Sequence, residues 1–189
     1  MLTTIGKLAV PRMNLVNTWK TDLVVAALGS LFIALSAQIA FRIAFSPVPI
    51  TAQTLAVLTT AMLLGRRRGT MSVGMYLIEG LAGLPVFAGG GAGASWLLGP
   101  TGGYLAGFLL AAFFVGALAE RGADHQHGKA LLTLTFGHVI IYLTGAVWLS
   151  LFTGLNAALL SGVVPFLAGD VCKILLGALS LPPLVARLK

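Results

Sequence analysis

Asp170 and Lys173 are the residues of this sequence whose types and spacing most plainly admit chemistry. Three apart, they share one face of a helix. A carboxylate and an ammonium so placed can each bond a complementary group on a ligand. They can equally pair with each other and serve packing alone. Both stand in an apolar run, where a charge costs about 2.5–3.5 kcal/mol at a helix centre. Gly169, just before them, would allow close backbone approach.

Two other apolar runs carry a charge, Arg42 and Glu79. Arg42 lies one turn from the end of its run, where a long side chain can snorkel to the interface. Its other reading is a cation that attracts an anionic solute. Glu79 reads either as an interfacial carboxylate or as a site residue. His138, one turn before Tyr142, reads first as an interhelical hydrogen bonder. Asp124-His125-Gln126-His127 resembles a metal cluster but lacks a fourth ligand, so solvated polar residues are the better reading and no metal is expected. Cys172 is the one cysteine, so no intrachain disulfide can form.

The elements that must position these residues are membrane helices. Of 189 residues, 58% are hydrophobic and 9% charged. A soluble domain carries about 25% charged residues. The net charge of +7 might suggest nucleic acid, but the cations sit between apolar runs rather than along one face, with no basic, aromatic surface. The basic start before an apolar run could pass for a signal peptide, yet the run from Leu23 to Phe45 is long for one.

Six spans follow from runs of about the length that crosses a bilayer. They are Leu23 to Phe45, Ile50 to Leu64, Thr70 to Leu84, Gly103 to Ala119, Ala130 to Phe152, and Gly162 to Leu184. Ser46-Pro47-Val48-Pro49 stops the first. Gly65-Arg66-Arg67-Arg68-Gly69 separates the second from the third. These two are short, which suits helices that end inside a cavity. Cations gather in the N-terminal tail (Lys7, Arg12, Lys20), the Arg66–Arg68 loop, the loop with Arg121 and Lys129, and the C-terminus (Arg187, Lys189). The alternate loops lack them, apart from nearby Arg42. The positive-inside rule then places both termini in the cytoplasm. The expectation is a single six-helix transmembrane domain over 1–189, with 1–21 as a cytoplasmic or interfacial segment.

Between the third and fourth spans runs PVFAGGGAGASWLLGPTG, Pro85 to Gly102, rich in glycine and free of charge. It reads as an irregular loop tucked against the outer mouth, its backbone open to a ligand. It is no nucleotide loop, because it lacks G-x-x-x-x-G-K-[ST]. Gln53 sits one turn into the second span, Tyr104 opens the fourth, and Tyr142 and Trp148 lie in the fifth. Ala26, Ser30 and Ala34 form a small-residue face in the first span, suited to internal packing or to docking of a partner membrane protein.

Four stretches together resemble the BioY family, the biotin-specific substrate-binding (S) components of energy-coupling-factor (ECF) transporters. They are Pro47-Val48-Pro49-Ile50-Thr51-Ala52-Gln53, Gly80 through Gly90, Gly99-Pro100-Thr101-Gly102-Gly103-Tyr104, and Pro165 through Asp170 followed by Lys173. The resemblance implies an S-component-like bundle in a bacterial inner membrane that captures biotin from the outer face. It implies a pocket that includes Asp170 and Lys173, walled in part by the glycine-rich loop. In some relatives a polar side chain interrupts the glycine run. Here Gly89, Gly90, Gly91 and Ala92 leave only backbone to contact a ligand. Gln53, Tyr104, Tyr142 and Trp148 would complete the wall. Biotin is then the transported ligand and no cofactor is expected. The implied partners are a transmembrane coupling subunit and two ATPase subunits, since this chain has no ATP-binding motif. Asp170 suits the ureido N–H donors of biotin, and Lys173 suits either the ureido oxygen or the carboxylate. The rivals are a proton-coupled carrier using Glu79 and Asp170, and an intramembrane enzyme using Asp170 or His138. The second lacks a recognisable nucleophile or metal set.

Overall fold

Small and polar residues share the inside of this structure with a large apolar core, and many large apolar residues also face outward. The computed structural model describes residues 18–187. The N-terminal cations Lys7 and Arg12 and the terminal Lys189 lie outside the described residues. Ala26, Ser30, Thr60, Ser72, Ala111 and His138 are buried, whereas Leu28, Leu132, Leu143, Leu151 and Leu179 are more than half exposed. Water would not tolerate that much exposed apolar surface. A bilayer does, because lipid tails are as apolar as leucine and small residues let helix backbones approach.

The chain forms α1 (Trp19–Ala37), α2 (Gln53–Leu81), α3 (Ala94–Leu98), α4 (Gly102–Ala119), α5 (His127–Thr153), α6 (Leu155–Gly162) and α7 (Val164–Arg187). Strands β1 (Ala40–Phe41) and β2 (Ile50–Thr51) pair antiparallel, with Ala40 opposite Thr51 and Phe41 opposite Ile50. Helices α1, α4, α5 and α7 are each long and apolar enough to cross a membrane. Helix α4 packs between α2 and α5, α1 packs on α2, and α7 packs on α5 and α2.

The predicted second and third spans are the two arms of α2. Gly65 breaks it with φ 83° and ψ −179°, backbone that only glycine adopts without strain. A straight helix would hold residues 53 and 76 about 35 Å apart. Instead the Gln53 amide donates to the Tyr76 hydroxyl. The arms therefore run antiparallel, as a hairpin whose turn is one residue. A Cβ on Gly69 would lie 2.7 Å from the Ala61 Cα, and one on Gly116 of α4 would lie 2.6 Å from the Arg66 nitrogen. The Gly65–Gly69 loop expected from sequence is thus a single-residue hinge, and Arg66–Arg68 begin the second arm. At 1.5 Å per residue the arms 53–64 and 66–81 reach about 18 and 24 Å.

Helix α1 also departs from expectation. The Thr18 hydroxyl caps its start, accepting from the Thr21 N–H at 3.3 Å. The helix ends at Ala37, although the apolar run continues to Phe45. The Gln38 side chain turns back onto the Ala34 carbonyl at 3.0 Å, a local bond that competes with helix propagation. The chain then turns into β1 and, after Pro47 and Pro49, into β2.

The Ala26, Ser30 and Ala34 face, offered above for packing or for docking, is used internally. All three residues are buried. The Ser30 hydroxyl donates to Glu79 Oε2 of α2 at 2.5 Å. Neighbouring Gly29 leaves no room for a Cβ against Ser72. A partner therefore cannot reach this face while α2 covers it.

At the end of the molecule bearing the Gly65 hinge, Asp22 is buried and pairs with Arg67 at 3.0 Å and Arg68 at 2.7 Å. The Arg66 N–H bonds Glu120 Oε1 at 2.8 Å. His127 Nδ1 bonds the Ala178 carbonyl at 2.9 Å, and buried Asp124 stands 3.6 Å from His125. Helix α6 was not expected. Gly154, at φ 81°, separates it from α5.

Candidate ligand-binding site

Asp170 and Lys173 stand in the first turns of α7, so the i,i+3 spacing places both on the face turned toward α2 and α5. The carboxylate is buried at 4% exposure and accepts from three side chains, with one acceptor position left on Oδ2. Lys173 Nζ donates to Asp170 Oδ1 at 2.6 Å, and the Thr54 hydroxyl lies 3.3 Å from the same oxygen. The Tyr142 hydroxyl donates to Oδ2. Lys173 Nζ also donates to the Thr51 carbonyl at 2.6 Å and to Thr54 Oγ1 at 3.1 Å. An ammonium has three N–H donors, so Lys173 is saturated.

His138 Nε2 lies 3.8 Å from Asp170 Oδ2. Its Nδ1 bonds the Leu134 carbonyl at 2.9 Å, and a carbonyl only accepts, so Nδ1 carries the proton. In the neutral ring, Nε2 is then a buried acceptor with no hydrogen-bond donor facing it. His138 braces the site from behind, since it is not part of the cavity wall.

The cavity above this pair is apolar apart from its floor. Gln53, Thr54, Tyr142, Asp170 and Lys173 are among its polar residues, with Thr51, Thr101 and Tyr104. Phe87, Trp96, Phe108 and Phe166 supply much of the rest. Tyr76, Phe87 and Trp96 form a train of rings: Phe87 meets Tyr76 edge-on at 5.4 Å between centroids and Trp96 at 6.1 Å. Tyr104 is held by its hydroxyl, which donates to the Gly162 carbonyl at 2.7 Å.

The glycine-rich segment is more ordered than the expected irregular loop. It contains a 3₁₀ turn at Ala88–Gly90 and the short helix α3. Thr101 fixes its far end through a 2.7 Å bond to the Trp96 carbonyl, and Gln38 reaches its near end at Phe87. Phe87, Ala88, Trp96 and Thr101 face the cavity. Gly89, Gly90, Gly91 and Ala92 do not. Gly91 instead leaves space for the Trp96 indole, which a Cβ there would strike. Trp148 is also outside the wall. Its Nε1 donates to the Gly99 carbonyl at 2.9 Å, so it anchors the segment rather than lining the pocket. Glu79 is engaged by Ser30 and does not line the cavity.

The whole chain is also similar to known proteins. A family model described as the BioY family matches residues 10–189. The chain belongs to the BioY family. Among the curated members, the probable biotin transporter BioY of Pyrococcus horikoshii is 41% identical over 150 residues, covering 78% of this chain and 87% of that protein. The biotin transporter BioY of Rhizobium etli is 36% identical over 167 residues, covering 84% and 89%. Among solved structures, the crystal structure of the S-component for biotin from an ECF-type ABC transporter superposes with a TM-score of 0.77 at 33% identity. That match covers 87% of this chain and 90% of the other. With its apolar helices, this BioY-family chain is a multi-pass membrane protein of the S-component fold.

Proposed function

We propose that this chain is the biotin-binding subunit of a vitamin importer. One observation carries the reading: in a BioY-family chain, a buried carboxylate held by Lys173, Tyr142 and Thr54 forms the polar floor of an otherwise apolar chamber. Biotin has the complementary shape. Its ureido group offers two N–H donors and a carbonyl, while its thioether ring and aliphatic chain are apolar. Such a solute needs few polar contacts and much apolar wall. Asp170 accepts from the ureido group, and Phe87, Trp96 and Tyr104 enclose the ring.

The chain supplies one membrane domain of six spans, counting α1, the two arms of α2, α4, α5 and α7. Arg66, Arg67 and Arg68 beside the Gly65 hinge, with Arg121, Lys129 and Arg187, mark the cytoplasmic face of a bacterial inner membrane, so both termini lie there. Energy comes from partners, a transmembrane coupling subunit and two ATPase subunits, because family membership makes this a transport protein rather than an enzyme. A lone proton-coupled carrier is a weaker reading, since Glu79 lies off the cavity wall. The direct test is mass spectrometry of the solute released from purified protein. Biotin is expected. A folded chain that neither carries biotin nor binds it on addition would refute the proposal.

A further inference from the structure

A separate cavity lies at the end of the bundle that bears the Gly65 hinge, and it shares no residue with the Asp170 chamber. It measures about 350 Å³ and is lined by Leu118, Arg121, Ala123, Lys129, Leu132 and Thr133. The local sequence builds it. Helix α4 ends at Ala119, and Gly122, at φ 86°, turns the chain back toward α5. Leu118 and Arg121 stand three apart on one side of that turn. On the other, Lys129, Leu132 and Thr133 share one face of α5 through their i,i+3 and i,i+4 spacing. Both α4 and α5 are long and apolar enough to cross a membrane, so a cavity between their joined ends sits at the depth of lipid headgroups.

Its polar groups are unspent. Thr135 and Thr144 of the same helix each donate to the carbonyl four residues before, at 2.9 Å. Thr133 is only 5% exposed, yet its hydroxyl makes no hydrogen bond among the described residues. Arg121 and Lys129 are exposed, and neither side chain makes an ion pair or hydrogen bond among the described residues. The neighbouring acids are turned elsewhere. Glu120 Oε1 accepts from the Arg66 N–H at 2.8 Å, Asp124 stands 3.6 Å from His125, and neither acid lines the cavity. The result is two cations and one buried hydroxyl above an apolar base. Leu132 in that base is 70% exposed, on the surface that faces lipid tails.

We propose that this cavity binds the phosphate of an anionic phospholipid. The inference is independent of the biotin reading. Snorkelling accounts for cations at span ends, but not for a cavity beneath them that holds an unbonded hydroxyl. A phosphodiester has acceptor oxygens for all three groups. The planar guanidinium of Arg121 can hold two of them at once, while Lys129 and Thr133 donate to the rest. The acyl chains then lie along Leu118 and Leu132. A free phosphate uses the charges and leaves the leucines uncovered, whereas a lipid uses both. The cytoplasmic leaflet, where the cation pattern puts this end, is rich in anionic lipid.

The test offers the purified full chain an equimolar mixture of dioleoyl phosphatidylglycerol and dioleoyl phosphatidylcholine and counts the retained lipids by native mass spectrometry. Wild type is expected to prefer phosphatidylglycerol. The double variant Arg121→Gln, Lys129→Gln should lose about thirtyfold in that preference, since each cation near a membrane surface contributes about fivefold. Both side chains are exposed, so the variant keeps its fold. Thr133→Val, nearly the same shape, should lower the preference by a smaller factor. The control Lys20→Gln, Arg187→Gln removes as much charge outside the cavity and should keep the preference. Three results overturn the site: an unchanged preference in the first double variant, an equal loss in the control, or displacement of the lipid by millimolar inorganic phosphate. Wild type with no preference also overturns it, and leaves the two cations to a protein partner.

Discussion

At the scale of single residues the site is a carboxylate whose donors come from three helices. Oδ1 faces Lys173 and Thr54, while Oδ2 faces Tyr142. Removing a charged partner leaves a buried group unsatisfied, and that cost exceeds the net worth of the bond. Lys173→Ala and Asp170→Asn should each weaken biotin binding by more than about 1.5 kcal/mol, read by calorimetry on folded protein. Tyr142→Phe removes one neutral donor and should cost less, about 0.5–1.5 kcal/mol. A Tyr142→Phe loss larger than that of Lys173→Ala would contradict this ranking. The pair on α7 was legible because charge in an apolar run is expensive enough to require a reason. Thr51 and Thr54 were not, because ordinary threonines gain meaning only when β2 and the start of α2 set them against α7. Trp148 was misplaced for a related reason: an aromatic near a span end says nothing about whether it faces a cavity or, as here, holds the Gly99 carbonyl. Asp22 escaped notice at the edge of its run, yet it is buried between Arg67 and Arg68.

At the scale of elements, the α2 hairpin brings Gln53, Thr54 and Tyr76 to one end of the bundle. Its turn depends on Gly65 at φ 83°. A Cβ in left-handed backbone costs roughly 1–2 kcal/mol. Gly65→Ala should therefore lower the thermal unfolding temperature in detergent while leaving biotin affinity of the folded protein nearly unchanged, because the hinge lies at the far end from Asp170. An unchanged unfolding temperature would mean that the hinge tolerates a side chain. Gly80→Val should act differently. A side chain there would strike the Phe87 ring, and Phe87 lines the chamber, so biotin affinity should fall along with stability. Hydropathy found both arms of α2 and placed α4 to within a residue of its start. It overran α1 by the stretch 38–45, because apolar residues beyond Ala37 serve a strand and turn over the cavity rather than more helix. Periodicity has no means of distinguishing the two when all sides of a span are apolar. The small-residue face of α1 suited packing or partner docking equally in the sequence, and its burial against α2 is a tertiary fact.

At the scale of the whole molecule, the bilayer accounts for most of the sequence. Leucines on the outside and alanine, glycine and serine inside explain why so few charges suffice. They also explain why each buried charge has a partner or a task. Four long apolar helices agree with the multi-pass membrane protein expected from composition. Composition alone did not reveal the polar-floored chamber, since that depends on how the glycine-rich segment folds beside α4. The central claim is that the Asp170–Lys173 chamber holds biotin, and calorimetric titration of purified, biotin-depleted protein tests it most directly. The account predicts saturable one-to-one binding by wild type and its loss in a folded Lys173→Ala variant. Absent binding by folded wild-type protein, or equal affinity in the variant, would contradict it.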